Sequence, residues 1–399
     1  MIFGNLAKRS PGTLNLRNTF EQNCGMTLED YVDHILGLLT YYITLDFHKM
    51  IEDPGLACIA LKTFFADAPR EIVEKFWLME LTTMKGFEAS ILGQTGLKAH
   101  HDFIAFRKKP LLETATDNVI PLHLGFVQEK LESGLFWAIF NSLSTTQERS
   151  QLFTQWGHLF EEYISEILTR CLEASAHDHF PFPRFSDNEE EAFDGIVSFG
   201  KYMVVMEYKG GFLTANAKYA EDEDEFVRDL DRKFGAKKGA GLEQLVRKIS
   251  TVFADRPADR RSLKNLDTSG VEVVIPVLVV QDSFVSSEIT ASYLADVFGT
   301  LERKEGLNPA ITCTFPLVLD VSDIETLKPF LAAEKISLTD CLMERARMGT
   351  GVLSFRDFFR QYLQDRNIGW VLDDETMARF EKIMDRLALR FFKKPLTVA

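Results

Sequence analysis

A chain of 399 residues, 46% hydrophobic and 26% charged, is long enough for two or three domains, each with a core of its own. Its net charge of −14 argues against a general nucleic-acid binder, and no apolar run approaches the roughly 18 residues of a membrane span. Five scattered cysteines without a Cys-x-x-Cys pair argue for reduced thiols and against structural zinc; with no continuous apolar stretch at the N-terminus, the expected location is cytoplasmic.

Residues 1–20 lack periodicity and read as an arm. Residues 27–93 are helical in pattern, with Leu28, Tyr31, Ile35 and Leu38 on one face, a break at Pro54-Gly55 and a new start at Pro69. His100-His101-Asp102 reads as a loop. Residues 103–106 followed by Pro110-Leu-Leu read as a short edge strand, and residues 127–143 as a helix. Nothing in 1–148 carries recognisable chemistry. It reads as an α-rich domain for packing, for a partner protein or a second copy of the chain, or for substrate access.

A helix follows Ser144, with Phe153, Trp156, Phe160, Ile164, Ile167 and Cys171 in one stripe. At 100° per residue Glu161 lies on the flank of that stripe and Glu162 nearly opposite. Glu161 is thus either a carboxylate reaching a shared site or a surface residue. His177-Asp178-His179 reads as a second loop. Residues 196–199 and 202–206 are then two β-rich segments around Gly200-Lys201, a type II′ hairpin pattern. If Phe199 faces Tyr202, counting outward sets Asp194 opposite Glu207. Residues i and i+2 share a strand face, so Lys209 projects with Glu207. Three charged groups suited to holding a metal and steering a water meet at the end of an apolar hairpin.

Asp194, then twelve residues, then Glu207-x-Lys209 resembles the signature of the PD-(D/E)XK nuclease superfamily, with Phe193 in place of the proline that names it. The resemblance covers roughly residues 149–282. It implies a restriction-endonuclease-like αβββαβ core, a nuclease activity, and catalytic roles for Asp194, Glu207 and Lys209. It also implies an added metal-side carboxylate from the first helix, carried over to Glu161.

Residues 212–218 read as the third strand of that core and residues 226–234 as a helix or lid. The loop Gly235-Ala-Lys237-Lys238-Gly-Ala-Gly241 lacks the Gly-Lys-Ser/Thr ending of a phosphate-cradling P-loop. Residues 242–253 form a helix with Leu245, Val246, Ile249 and Phe253 inward. Gln244 and Lys248 lie off that stripe, one turn apart, and by pattern alone read as surface residues. The resemblance implies that a Gln or Lys of this helix stands near the cleaved phosphate. From Arg228 to Lys264 eleven Lys/Arg face five Asp/Glu, a local +6. This stretch, Lys237 and Lys238 above all, reads either as a grip on backbone phosphates or as a solvated face. Residues 271–280 read as a central strand buried on both faces, with Pro276 awkward in it. Another strand is expected at 315–321 and helices from 322 onward.

The expected fold is therefore α/β, with an α-rich domain (1–148), a nuclease-like domain (149–321) and a helical C-terminal region (322–399). The leading expectation is a Mg²⁺- or Mn²⁺-dependent nuclease acting on nucleic acid, DNA before RNA, in restriction, repair or defence. Asp194, Glu207 and Glu161 would supply hard oxygen ligands. One rival is a catalytically inactive scaffold or nucleic-acid-binding module of the same fold. Another is a structural ion-pair cluster in an unrelated α/β protein.

Overall fold

The structure, a computed structural model, describes residues 14–92, 103–114, 117–219, 222–349 and 353–392; His100, His101 and Asp102 fall outside them. The described residues divide into two compact units. One draws on Met1–Leu152, Lys218–Asp222 and Asp374–Ala399, the other on Phe153–Ala217 and Glu223–Asp373. Residues 322–373 thus group with the second unit, and those from Asp374 with the first.

In the first unit, helices α1 (Leu16–Cys24), α2 (Leu28–Thr44), α3 (Phe47–Glu52), α4 (Arg70–Glu80), α5 (Met84–Leu92), α6 (Ile104–Lys108), α7 (Leu124–Glu129) and α8 (Ser133–Ser142) accompany four short strands. These are β1 (Ile59–Ala60), β2 (Leu81–Thr83), β3 (Leu111–Glu113) and β4 (Asn118–Pro121), in the order β1-β4-β3-β2. Thr27 caps α2 by accepting the Asp30 N–H, and Tyr31, Ile35 and Leu38 are buried as their spacing predicts. Several expectations are corrected. Residues 16–20, expected as the end of an arm, instead open a helix, Leu16–Cys24, capped by Asn15. Ile104–Lys108 is helical and the strand begins at Leu111. The single helix expected over 127–143 is two.

The second unit is built on a mixed sheet. Helix α9 (Thr146–Leu172), which starts in the first unit, leads to β5 (Asp178–Pro181), β6 (Gly195–Phe199) and β7 (Tyr202–Lys209). After α10 (Ala215–Tyr219), α11 (Glu223–Lys233) and α12 (Gly241–Val252) come β8 (Val273–Val280), α13 (Glu288–Glu305), β9 (Thr312–Cys313) and β10 (Leu317–Asp320). Helices α14 (Val321–Ala332), α15 (Leu338–Arg347) and α16 (Phe355–Asp365) complete the unit; α17 (Asp374–Leu387) belongs to the first. The strand order is β10-β8-β7-β6-β5, with β9 also beside β8. β5, β6 and β7 pair antiparallel, whereas β7, β8 and β10 run parallel.

Side-chain alternation sorts the strands between two cores. Val204, Met206 and Tyr208 of β7 and Ile275, Val277 and Val279 of β8 pack against α9, α14, α15 and α16. Met203 and Val205, with Val274, Leu278 and Val280, pack against α11, α12 and α13. The apolar run at 273–280 is continuous because β8 is covered on both faces. Pro276 fits there for a definable reason. The Val273 N–H points to Lys201 of the hairpin, while the Val274 carbonyl points the other way, accepting from Thr314. Even-numbered residues therefore face β9 and β10. On that side β9 pairs with Val273 and Val274, and β10 begins at Val277. Pro276 lies in the gap, where its missing N–H has no strand to serve.

The third strand is not where the sequence pattern set it. Residues 211–214 are irregular and Ala215–Tyr219 is a helix. Leu213 N–H goes to Asp282 Oδ2 (2.9 Å) and Thr214 N–H to Asp229 Oδ2 (2.7 Å), so side-chain carboxylates take the donors a neighbouring strand would use. The remaining strand is Asp178–Pro181, expected as a loop, which pairs His179 with Val197.

Candidate functional site

The hairpin carries the site. Gly200 turns it at φ +57°, a left-handed value that glycine adopts without the Cβ penalty, and Lys201 is not among the residues with positive φ. This is the pattern of a type II′ turn, and it pairs Phe199 with Tyr202. The last ladder pair is Gly195 with Met206, so Asp194 stands one rung further, opposite Glu207. Asp194 is pinned at three points. Its N–H reaches Met206 O, its carbonyl accepts from Phe182, and its Oδ2 accepts the Tyr208 N–H at 2.5 Å.

Both carboxylates are buried, Asp194 with 5% and Glu207 with 2% of its surface exposed. Each oxygen of Glu207 has an ammonium: Lys209 Nζ donates to Oε1 at 2.8 Å and Lys248 Nζ to Oε2 at 3.0 Å. Lys209 also donates to Gln244 Oε1 at 2.9 Å, and Gln244 Nε2 donates to Gly239 O at 3.0 Å. The face of β7 that carries Glu207 and Lys209 therefore meets the flank of α12. Gln244 and Lys248, which read as surface residues by pattern alone, are part of the constellation. Their spacing of four, which stacks them on one side of α12, was the available signal.

Burial raises the Asp194 carboxyl well above its ordinary range, and the charge of Glu207 raises it further; the Tyr208 N–H, Lys248 and Lys209 only partly offset this. Burial pulls the Lys209 ammonium down, but Glu207, Asp194 and Glu161 outweigh that and hold it above its usual value.

Glu161 stands apart from the pair. Burial raises its carboxyl, its hydrogen bond goes to His158 Nδ1 at 3.3 Å, and it senses the charges of Glu191 and Lys209. Among the described residues no group of three or more His, Cys, Asp and Glu side chains is arranged to hold a metal ion. The carboxylates gathered here are a pair, Asp194 and Glu207.

The end of β7 is fixed against α9 by a close approach. A Cβ on Gly210 would lie 2.8 Å from Phe160 Cβ and 3.3 Å from Gly157 Cα. Trp156 Nε1 donates to Gln281 Oε1 at 2.6 Å, and Gln281 N–H donates to Lys209 O. Gln281 escaped the sequence reading, since a lone polar residue after a strand carries no periodic signal.

Most of the basic stretch is already paired. Arg232 and Lys233 engage Asp229, Arg247 engages Glu243, Arg261 engages Asp187 and Glu190, and Lys264 engages Glu189. Lys237 and Lys238 are exposed and, among the described residues, hold no ion pair. They precede Gly239, whose carbonyl is tied through Gln244 to Lys209. No helix among the described residues is long and apolar enough to cross a membrane. Compared with protein-family models, curated proteins and solved structures, the chain matches none.

Proposed function

We propose that the chain is a metal-dependent phosphodiesterase acting on nucleic acid, DNA first, with a restriction-endonuclease-like core. The observation that carries this reading is the pair of buried carboxylates on facing rungs of the hairpin, with the Lys209 ammonium 2.8 Å from one of them. The element order around them supports it. Helix α9, three antiparallel strands, helix α12 and the parallel strand β8 come in the αβββαβ order that the resemblance implies, with α10 and α11 inserted between β7 and α12.

The donor set suits a small hard cation. Mg²⁺ is commonly held by one or two carboxylates while it keeps several waters, and its charge would favour the ionised form of Asp194 that burial beside Glu207 disfavours. When bound, Mg²⁺ or Mn²⁺ would supply Lewis-acid polarisation of a phosphate oxygen and a more acidic water. Asp194 and Glu207 would hold it. Lys209, oriented between Glu207 and Gln244, offers its ammonium to charge that develops on the phosphate. Glu161, one turn along α9 from Gly157, adds negative charge at the rim of the site. Lys237 and Lys238 offer sequence-independent contacts to backbone phosphates. Roles in restriction, repair or defence, and a cytoplasmic location, accord with this chemistry.

A second reading has its own observation. Both Glu207 oxygens are already neutralised by lysines, as in a structural ion-pair cluster or a binding module without catalysis. Digestion of single- and double-stranded DNA and RNA with Mg²⁺, Mn²⁺ or EDTA, comparing wild type with Lys209→Ala, separates the two. Metal-dependent cleavage that falls on the order of 10²–10³-fold in a folded Lys209→Ala is expected. Its stability should fall by only about 0.5–3 kcal/mol, because Lys248 stays on Glu207. No cleavage by wild type of any substrate, or an unfolded Lys209→Ala, would favour the structural cluster.

A further inference from the structure

The two lysines on Glu207 are not equivalent. Lys209 is held from two sides, by Glu207 Oε1 and Gln244 Oε1. Lys248 has Glu207 Oε2 as its hydrogen-bond partner among the described residues, with 11% of its side chain exposed. It approaches from α12, across the face of β7 on which Asp194 also lies. An ammonium at 3.0 Å from a carboxylate oxygen occupies the space that a divalent ion would need on that oxygen. If an ion binds Glu207, Lys248 must move off, and it then stands unpaired beside a second positive charge. A phosphodiester is the anion that can receive it.

We propose that Lys248 couples the two ligands of the site, so that a divalent cation binds tightly only together with a nucleic-acid backbone. This rests on the metal-site reading above. Glu207 is kept neutralised by Lys248 when substrate is absent. The phosphate draws Lys248 away and opens Glu207 Oε2 to the ion; reciprocally, the ion releases Lys248 to the phosphate. Linkage requires the two effects to be equal, and such couplings typically amount to about 5–150-fold in affinity.

The test measures binding of Mn²⁺ by loss of its free-ion paramagnetic resonance signal, corrected for ion held by the oligonucleotide itself. Full-length protein is titrated alone, with a phosphorothioate oligonucleotide that keeps backbone charge, and with a neutral methylphosphonate oligonucleotide. Wild type should bind Mn²⁺ weakly alone, at least about fivefold more tightly with phosphorothioate, and no better with methylphosphonate. Lys248→Met should bind Mn²⁺ alone about as tightly as wild type does with phosphorothioate, and gain nothing further from it. If Lys248→Met does not fold, Lys248→Gln, which keeps a donor toward Glu207 without the charge, takes its place with the same expectation. A variant that binds Mn²⁺ no more tightly than wild type, or keeps the wild-type coupling, overturns the proposal and leaves the metal site standing. Mn²⁺ binding that is absent throughout, or that survives Asp194→Asn unchanged, defeats the metal-site reading itself and the proposal with it.

Discussion

Asp194 is a carboxyl whose surroundings oppose its charge. It is buried and it faces Glu207, and the Tyr208 N–H on its Oδ2, which favours the ionised form, offsets this only in part. Burial first, and Glu207 second, push its pKa to about 8, against about 3.9 in an unfolded chain. The folded state therefore binds more protons than the unfolded one across that interval. Stability from this group is fully present below about pH 4 and is lost as the pH rises through 8. Asn at this position still accepts the Tyr208 N–H and has no charge to bury. Asp194→Asn is accordingly expected to melt slightly above wild type at pH 5 and several degrees further above it at pH 8.5, both in EDTA. Thermal melts across this range check the sign, and a gap that fails to widen with pH would mean that Asp194 is ionised without strain. The same substitution should abolish metal-dependent cleavage, so stability and activity would move in opposite directions, as expected where a site is kept at the expense of the fold.

The placement of these side chains depends on how β7 ends. Gly210 passes α9 at Gly157 and Phe160, where an added Cβ would sit 2.8 Å from Phe160 Cβ. Gly210→Ala must push the strand end or the helix aside, which should cost about 1–3 kcal/mol and displace Lys209, its neighbour in sequence. A melt and a cleavage rate on the same sample test this; an unchanged melt would show that the approach is loose. The hairpin was legible in the sequence because a two-residue loop sets every later pair, so Gly200-Lys201 alone places Asp194 opposite Glu207. The apolar run of β8 was legible because both faces are covered. Residues 212–218 misled, because their backbone donors are captured by Asp229 and by Asp282, the latter 69 residues from Leu213. No local pattern encodes a partner that distant. Strands β1 to β4, of two to four residues each, are too short for alternation to show. The link from Lys248 to Glu207 was hidden for a similar reason, since helical periodicity gives the face of α12 but not the strand it meets.

At the scale of the whole molecule, a chain of net charge −14 must approach a polyanion against its own field. The local +6 between Arg228 and Lys264 suggested a broad basic surface, but the structure spends most of it internally. Arg261 and Lys264 neutralise the acidic loop of Asp187, Glu189 and Glu190, while Arg232 and Lys233 serve buried Asp229. Residues tied up in this way release no counterions when nucleic acid binds. Lys237 and Lys238 remain, exposed in the loop that Gln244 links to Lys209. They should carry a large share of a weak, sequence-independent grip. Each phosphate neutralised contributes about 0.9 to the slope of log K against log salt for duplex DNA. Replacing both lysines with Ala is therefore expected to lower that slope by about 2 and weaken binding equally for unrelated sequences. Since neither side chain has an ion pair among the described residues, the melting temperature should not change. Binding isotherms at several salt concentrations, for two unrelated duplexes, give the slope directly. An unaltered slope would place the phosphate contacts on other cations, with Arg256 and Arg260, which also hold no ion pair among the described residues, next to be replaced.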